Sequence, residues 1–489
     1  MLGKKKQRQE NLFCPLCSQV SERQTLLRAI NSLIDFTPFR EKAAPYFGDT
    51  GRPSIDPIVM IKMMLLGYLF DIRSDRKLVD ECADRISFRE FIGYGSDENI
   101  PTHANFTRWR QLLGPQTFKD FLYEILSQSE KGGMKLGNCR LFDSTKVQAR
   151  AATTSNAKVE LELESQPDEY LDAFNWQTDC DEPTQDTRYG EKLVVSTNDP
   201  EARLLRHSNE PSRFVHKVHA DVDSKTGLVV DIAVSHKTEH EMMIEFLKKE
   251  SRPVECIGAD KGYSTADCYK DLLSMGITPF IPVFDHANDK GKKYHLSDFV
   301  YQPETDSYMC PAGNELRYAY ITKQNQTAYL AAESDCQSCP LRDKCLNKGK
   351  RRTLTVSEDR WLIEMMKQQN RLPKYIRVMQ RRKTVMEGTW AHAKEWLGMS
   401  RARGIGSASM EIQATLVAVT INIKKLLGHL RDTPKSASGN VFALIRLLLS
   451  VIEASIEAKI GYIWCEVVNV RLFWHPQEAA LLRSSHGLL

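Results

Sequence analysis

Two aspartates lie in settings where a carboxylate could do chemistry. Asp143 stands in the middle of the strand-like segment Cys139–Val147, and Asp260 follows the short apolar segment Val254–Gly258. A carboxylate in an apolar strand needs a partner or water, and ligands of α/β sheets bind at the carboxyl ends of strands. Two carboxylates at neighbouring strand ends would form a hard-oxygen site suited to Mg²⁺ or Mn²⁺.

A third carboxylate, Glu387, lies in a basic segment, RRKTVMEGTWAHAK at 381–394. The segment predicts a helix weakened by Gly388, with Lys383, Glu387 and Lys394 on one face at offsets of four and seven. Residues 371–403 hold nine basic and two acidic residues, a cationic surface able to hold several phosphates. The cations predicted to bind DNA are Lys383, Lys394, Arg381, Arg382, Arg401 and Arg403.

Each of these signals also has a structural interpretation. A single aspartate at a strand end is more often a turn or capping residue. Glu387 could belong to an exposed, ion-paired helix, and a basic run is usually a solvated face. Only the combination of the three carboxylates with the basic segment indicates a catalytic site.

Composition limits the classes of protein to consider. A chain of 489 residues with 42% apolar residues predicts two to four folded domains and excludes global disorder. The longest uncharged apolar stretch near the C-terminus, Ile412–Ile423, is too short to cross a bilayer. The N-terminal segment lacks the apolar region of a signal peptide. Twelve cysteines then predict a reducing, cytoplasmic location.

Periodicity predicts an α/β fold class in which a helical domain precedes a mixed sheet. Helices are expected over 55–130, with Asp56, Ser74 and Thr102 as N-terminal caps. Strands follow at Cys139–Val147 and in the residues after it, joined first by a hairpin and then through helices. The other predicted elements are strands at Phe214–Asp221, Gly227–Ser235, Val254–Gly258 and Thr278–Val283, and helices at Glu239–Lys249, Thr265–Met275, 357–400, 410–428 and Phe442–Ile456.

The three carboxylate motifs together resemble the acidic triad of DDE-type insertion-sequence transposases. The motifs are FDST around Asp143, GADKGYS around Asp260 and RRKTVMEGTWAHAK around Glu387. The family pattern of Tyr, Arg, Glu and Lys on the last helix matches at Glu387 and Lys394, whereas Gln380 and Lys383 replace its Tyr and Arg. The resemblance covers residues 55–430, most of the chain.

The resemblance implies a bacterial transposase with an RNase H-like core. Asp143, Asp260 and Glu387 would be the catalytic residues and would hold Mg²⁺ or Mn²⁺, and two such ions would serve DNA cleavage and strand transfer. Lys383 and Lys394 would position DNA phosphates. The implied partner is double-stranded DNA, as terminal inverted repeats and as target. The protein is expected to form a homodimer in the synaptic complex and to associate with the nucleoid. It is not expected to associate with a membrane.

The resulting domain prediction has five parts. A helical DNA-binding domain spans 1–133, the first part of the catalytic core spans 134–285, and a Cys-rich insert spans 286–352. The C-terminal helical part of the core follows at 353–430, and a helical tail at 431–489. Residues 159–188, with ten acidic residues and one basic, are interpreted as a solvated insertion in the core.

The cysteines of the insert are open to two interpretations. Their spacing, with two residues between the second and third, suits a tetrahedral structural Zn²⁺ site in a small ribbon. The alternative is a set of reduced thiols in a loop. The four residues are Cys310, Cys336, Cys339 and Cys345.

Two rival functions remain at this point. One is a catalytically inactive, sequence-specific DNA-binding protein derived from a transposase, which the substitutions at Gln380 and Lys383 keep open. The other is a zinc-ribbon nuclease of a different kind, in which chelation of zinc would abolish activity as well as stability.

Overall fold

The computed structural model describes most of the chain between residues 25 and 432. The described residues are 2–5, 25–48, 50, 53–95, 97–154, 156–160, 188–189, 192–207, 210–283, 294, 296–322, 326–346, 349–357 and 359–432. The expected helix Phe442–Ile456 and nearly all of the acidic insertion lie outside them. The described residues divide into two compact units, the first drawn from residues up to 113, 124–134 and 419–432 and the second from 114–123 and 135–418.

The first unit is helical, and its helices begin where the sequence places capping residues. The Asp56 carboxylate accepts a hydrogen bond from the Ile58 amide at 2.9 Å, and the Ser74 hydroxyl accepts one from the Lys77 amide. Its helices are α1 (Leu26–Leu33), α2 (Thr37–Ala43), α3 (Pro57–Leu69), α4 (Asp75–Asp84), α5 (Ile86–Ile92) and both ends of α6 (His103–Lys131).

A break interrupts α6 at Gly114. Gly114 has φ 64° and ψ 173°, a region that only glycine enters readily, and Pro115 restarts the helix. The break therefore divides the helix that follows Thr102 into two helical segments.

The second unit is built on a sheet of nine strands among the described residues. Its spatial order is β2–β4–β5–β6–β1–β8–β9, with β3 beside β4 and β7 beside β6. The strands are β1 (Cys139–Gln148), β2 (Asn156–Glu160), β3 (Arg188–Tyr189), β4 (Lys192–Ser196), β5 (Arg203–His207), β6 (Glu210–Asp223), β7 (Val229–Val234), β8 (Cys256–Gly258) and β9 (Thr278–Phe280).

The centre of this sheet combines both kinds of strand pairing. Strand β1 is antiparallel to β6 and parallel to β8, and β9 continues the parallel side. Helix α7 (Glu239–Lys249) connects β7 to β8, and α8 (Ala266–Ser274) connects β8 to β9. A helical region followed by this mixed sheet confirms the predicted α/β fold class.

The core of the second unit packs helices against the sheet. It contains Phe142 of β1, Met243 and Leu247 of α7 and Tyr269 of α8, all buried. The capping box at Thr238, whose hydroxyl and the Glu241 side chain exchange hydrogen bonds with the backbone, begins α7 at the predicted residue.

A second sheet of five strands falls in the predicted Cys-rich insert and just beyond it. Its strands are all antiparallel to their neighbours and lie in the order in which they occur in the sequence. Its core contains Phe299, Tyr308, Leu316 and Leu354. Its strands are β10 (Val300–Gln302), β11 (Ser307–Met309), β12 (Glu315–Ile321), β13 (Gln326–Ala331) and β14 (Thr353–Ser357), and its short helices are α9 (Glu333–Gln337) and α10 (Arg342–Cys345).

Three helices follow. They are α11 (Arg360–Gln369), α12 (Pro373–Trp396) and α13 (Ser407–Asp432). The sequence predicts helix over 357–400, and the structure divides that region before Pro373, which begins α12. Within the described part of the chain, every helix is too short or too polar to span a bilayer.

Candidate active site

Asp143 lies on the central strand of the nine-stranded sheet. Strand β1 pairs with β6 and β8, and Asp143 stands opposite Ala220 of β6. Its Oδ1 accepts a hydrogen bond from the Ser144 amide at 2.9 Å, and its side chain is 17% exposed. The carboxylate therefore has a fixed orientation and a limited exposure to water.

Asp260 follows the neighbouring parallel strand. Its side chain accepts a hydrogen bond from the Gly262 amide at 2.9 Å and caps the single turn Lys261–Tyr263. The side chain is 44% exposed. Because β1 and β8 are parallel and adjacent, with Leu141 paired to Gly258, the two aspartates two residues further along lie side by side.

One guanidinium joins the two carboxylates. Arg382 Nη2 lies 3.2 Å from Asp143 Oδ2 and 3.7 Å from Asp260 Oδ2, and the arginine side chain is only 14% exposed. Two residues separated by 117 positions therefore share one cation. The sequence predicts Arg382 only as a contact for DNA.

Burial affects the protonation of both aspartates. Burial raises the pKa of Asp143 to about 6; Arg382 opposes this increase, and the charge of Asp260 adds to it. Burial likewise raises the pKa of Asp260, against the effect of Arg382. Both carboxylates thus lack full compensation for their charge, which is the condition in which an additional cation binds favourably.

Helix α12 packs closely on the sheet because β8 ends in glycine. A Cβ built on Gly258 would lie 2.8 Å from Val378 Cγ1 of α12 and 3.0 Å from Leu141 Cδ2 of β1. A larger residue would push the helix away from the strands. The glycine thus allows α12 to present Arg382 to the aspartates one turn further along.

The same helix brings two other side chains to Asp143. Trp390 is buried, and its indole lowers the pKa of Asp143. The indole nitrogen has no hydrogen-bond partner of ordinary geometry among the described residues. Burial lowers the pKa of Lys394, and Asp143 opposes that decrease. Lys394, predicted to bind DNA, therefore lies within electrostatic range of Asp143.

Glu387 is exposed on α12. In the described part of the chain, no hydrogen bond or ion pair joins it to Asp143 or Asp260. It shares a helix face with Lys394, seven residues further along. The structure thus brings two of the three predicted carboxylates together and places the third at the surface of the helix that packs beside them.

This donor set fits a divalent cation through two carboxylates. Asp143 and Asp260 are hard oxygen donors, and Arg382 Nη2 shows that a positive atom is accommodated beside both. The described residues contain no group of three or more His, Cys, Asp or Glu side chains arranged to hold a metal. The fit is therefore with the aspartate pair, and Glu387 is not part of it in this arrangement.

A fourth carboxylate lies beside this pair. Glu239, the first residue of α7, accepts hydrogen bonds from Ser144 Oγ at 3.1 Å and from Lys217 Nζ at 2.6 Å. Its charge raises the pKa of Asp260. The sequence does not predict that Glu239 and Lys217 lie beside the site. The sequence feature that could have pointed to Glu239 is its position at the start of a helix, directly after the capping residue Thr238.

The other predicted DNA contacts differ in their surroundings. Lys383 is exposed on α12. Arg381 donates to the carbonyl oxygens of Ser224 and Lys225 at 2.7 and 3.1 Å, and so fixes α12 to the turn between β6 and β7. Arg401 pairs through its backbone with Gln148 of β1. The Arg403 amide donates to Gln413 Oε1 at 2.7 Å.

The four cysteines of the insert lie near one another on the five-stranded sheet. Burial raises the pKa of Cys345, and the other three thiols add to the increase. Backbone amides donate to two of the sulfurs, Asn314 to Cys310 at 3.3 Å and Arg352 to Cys336 at 3.4 Å. None of these four cysteines forms a disulfide bond.

The helical region and the mixed sheet are consistent with an RNase H-like fold. Two family models match parts of the chain. Residues 16–112 match the Transposase domain (DUF772), and residues 309–427 match the Transposase DDE domain. These two matches support a DDE-type transposase, in agreement with the resemblance stated from the motifs.

A solved transposase structure is also similar to this chain. It is the cryo-EM structure of a piggyBac transposase synaptic complex with hairpin DNA, with 10% sequence identity and a TM-score of 0.35. The match covers 89% of this chain and 78% of that chain.

Proposed function

We propose that the chain is a metal-dependent DNA transposase, which hydrolyses phosphodiester bonds at transposon ends and transfers the freed strand into target DNA. The observation that carries this proposal is the pairing of Asp143, within β1, and Asp260, just after the neighbouring strand β8, across one cation. The transposase family models support the class of reaction.

The residues proposed to hold Mg²⁺ or Mn²⁺ are Asp143 and Asp260, with Glu387 as the third carboxylate. A divalent ion bound there would stabilise negative charge on the phosphate under attack. The Ser144 amide fixes the Asp143 carboxylate, and the Gly262 amide fixes that of Asp260. Joining Glu387 to this pair requires movement of its side chain or of α12, which DNA binding would favour.

Double-stranded DNA is the proposed partner, in the form of terminal inverted repeats and target. Lys383 is exposed on α12, and Lys394, eleven residues further along, lies within electrostatic range of Asp143, so the two would contact different phosphates of a DNA strand along this helix. A homodimer is proposed because two ends must be held in one complex.

A structural Zn²⁺ is proposed for Cys310, Cys336, Cys339 and Cys345. The proximity of the four thiols and the amide hydrogen bonds to two of them support it. Zinc binding would draw the sulfurs together, since the described side chains form no metal-binding group of three or more. Metal analysis of the purified protein tests this. We expect one zinc per chain, lost in Cys339→Ser and retained in Cys82→Ser, whose thiol lies in α4; zinc-free native protein would refute it.

The test of the catalytic proposal is cleavage of DNA carrying the element's ends in the presence of Mg²⁺. We expect Asp143→Asn and Asp260→Asn to lower the rate at least about 10³-fold while DNA binding is retained. Asp267→Asn, which changes an exposed aspartate on α8, is the matched control and should cleave normally. Normal cleavage by Asp143→Asn would refute the assignment.

The alternative is a transposase-derived DNA-binding protein without catalysis. The exposed Glu387 and the replacements at Gln380 and Lys383 favour it. It predicts salt-sensitive DNA binding with no nicking by the unaltered protein at any Mg²⁺ or Mn²⁺ concentration. Metal-dependent nicking that requires Asp143 would exclude it.

A further inference from the structure

Arg382 takes the position of a counter-cation between the two aspartates. Its Nη2 contacts Oδ2 of both Asp143 and Asp260, whereas its Nε is buried without a hydrogen-bond partner among the described residues. The guanidinium therefore contacts both carboxylates through Nη2, while its Nε–H donor makes no hydrogen bond within the described part of the chain. Such a guanidinium is held by charge more than by a complete hydrogen-bond network.

An arginine here has a different consequence from a neutral donor. The guanidinium brings a positive charge to the two carboxylates, which a neutral donor would not do. A divalent ion bound to the same oxygens would meet this fixed positive charge. The two cations therefore cannot occupy the carboxylates together at low energetic cost.

The helix that carries Arg382 also limits where it can go. Gly258 allows α12 to approach β8 closely, and Arg381 fixes the helix to the turn between β6 and β7. The backbone of residue 382 is thus held beside the sheet. Release of the carboxylates requires rotation of the Arg382 side chain, for which its length and four side-chain torsions suffice.

We propose that Arg382 is an internal cation that holds Asp143 and Asp260 together until a divalent metal displaces it. The inference rests on the proposed function, because it assumes that these aspartates bind the metal. Metal binding to the DNA-free protein is weakened by this competition. A polyanion that attracts the displaced guanidinium, such as the DNA backbone, removes the competitor and strengthens metal binding.

The test is Mn²⁺ binding to the full-length, DNA-free protein, measured by the electron paramagnetic resonance signal of unbound Mn²⁺. We expect Arg382→Gln to bind Mn²⁺ about tenfold more tightly than the unaltered protein. Arg382→Lys, which keeps the charge, should bind more weakly than Arg382→Gln. The matched control is Arg377→Gln, which removes an exposed charge from the same helix and should leave the affinity unchanged.

The outcomes separate this inference from the proposed function. If Asp143→Asn loses Mn²⁺ binding while Arg382→Gln binds like the unaltered protein or more weakly, the inference is overturned and the metal site stands. If the unaltered protein and Asp143→Asn bind Mn²⁺ equally, the proposed metal site itself is overturned. Thermal melting with and without Mn²⁺ is a second measurement, in which the metal should stabilise folded Arg382→Gln more than folded Arg377→Gln.

Discussion

Asp143 and Asp260 are two like charges that the sheet holds side by side, and different groups compensate each of them. A backbone amide fixes each carboxylate, Arg382 contacts both, and burial still raises the pKa of each. One guanidinium leaves part of the pair's negative charge uncompensated, which favours its replacement by a divalent ion. Its chemistry follows from this incomplete compensation, and not from the aspartates alone.

A second buried carboxylate, Asp221 of β6, has no part in the proposed reaction. Burial raises its pKa to about 8; Arg140 opposes the increase, and Asp231 adds to it. One of its carboxylate oxygens has no hydrogen-bond partner among the described residues. Asp221 is therefore a charge that the folded protein accommodates poorly.

Replacement of Asp221 by Asn should stabilise the protein in a pH-dependent way. The folded-state pKa of about 8 exceeds the usual value of 3.8, so the folded state binds the proton more tightly. The free energy of unfolding of the unaltered protein therefore falls as pH rises from about 4 to 8. Asp221→Asn should gain roughly 1–3 kcal/mol over that range and then remain level. Urea unfolding at several pH values measures this, with Asp267→Asn as control; a gain independent of pH would contradict the expected linkage.

At the scale of elements, the site depends on the contact between α12 and β8. Gly258 is the residue at that contact, because any Cβ there would meet Val378 and Leu141. A small change in the distance between helix and sheet moves Arg382, Trp390 and Lys394 together. Positions of catalytic groups are sensitive to displacements of this size.

Gly258→Ala should therefore impair both stability and cleavage. We expect a loss of roughly 1–3 kcal/mol in the free energy of unfolding, because the added methyl group overpacks a filled contact. Gly388→Ala is the matched control, since an added Cβ there meets no atom within 4 Å and should stabilise α12 by about 0.5–1 kcal/mol. Urea midpoints compare the two variants, and equal effects of both would contradict the packing argument.

The sequence predicts the elements of the central sheet well, for local reasons. Strand β1, the hairpin of β6 and β7 and helix α7 all show clear periodicity or capping signals, and α7 spans the predicted residues Glu239–Lys249. The sequence does not predict the strands β2 to β5 in and around the acidic insertion. The many charged residues there interrupt the alternation of apolar and polar residues that would indicate a strand. The sequence also misses the contacts of Arg382 and Glu239 with the site, because these join positions far apart in the chain.

At the scale of the whole molecule, the chain combines two segments that match transposase family models with an aspartate pair, and its net charge is small. The sequence carries 67 basic and 63 acidic residues, so any attraction to DNA must come from local surfaces. The exposed side of α12 is such a surface, and the residues 371–403 that contain it carry a net positive charge.

Affinity for DNA should depend on salt through the cations of α12. Lys383→Gln should weaken binding equally for all sequences and reduce the slope of log affinity against log salt by about 0.9. Lys248→Gln, which removes an exposed lysine from α7, is the control and should leave the slope unchanged. Binding assays over a range of NaCl concentrations provide the measurement. Equal slopes for both variants would remove α12 from the DNA interface.

The most direct measurement of the central claim is a crystal structure of the protein with Mn²⁺, using the anomalous signal of the metal. We predict an anomalous peak coordinated by Asp143 and Asp260, with the Arg382 guanidinium moved away from both carboxylates. Crystals of Asp143→Asn should lack the peak. Fully loaded crystals in which Mn²⁺ binds elsewhere, with Arg382 still between the two aspartates, would contradict the claim.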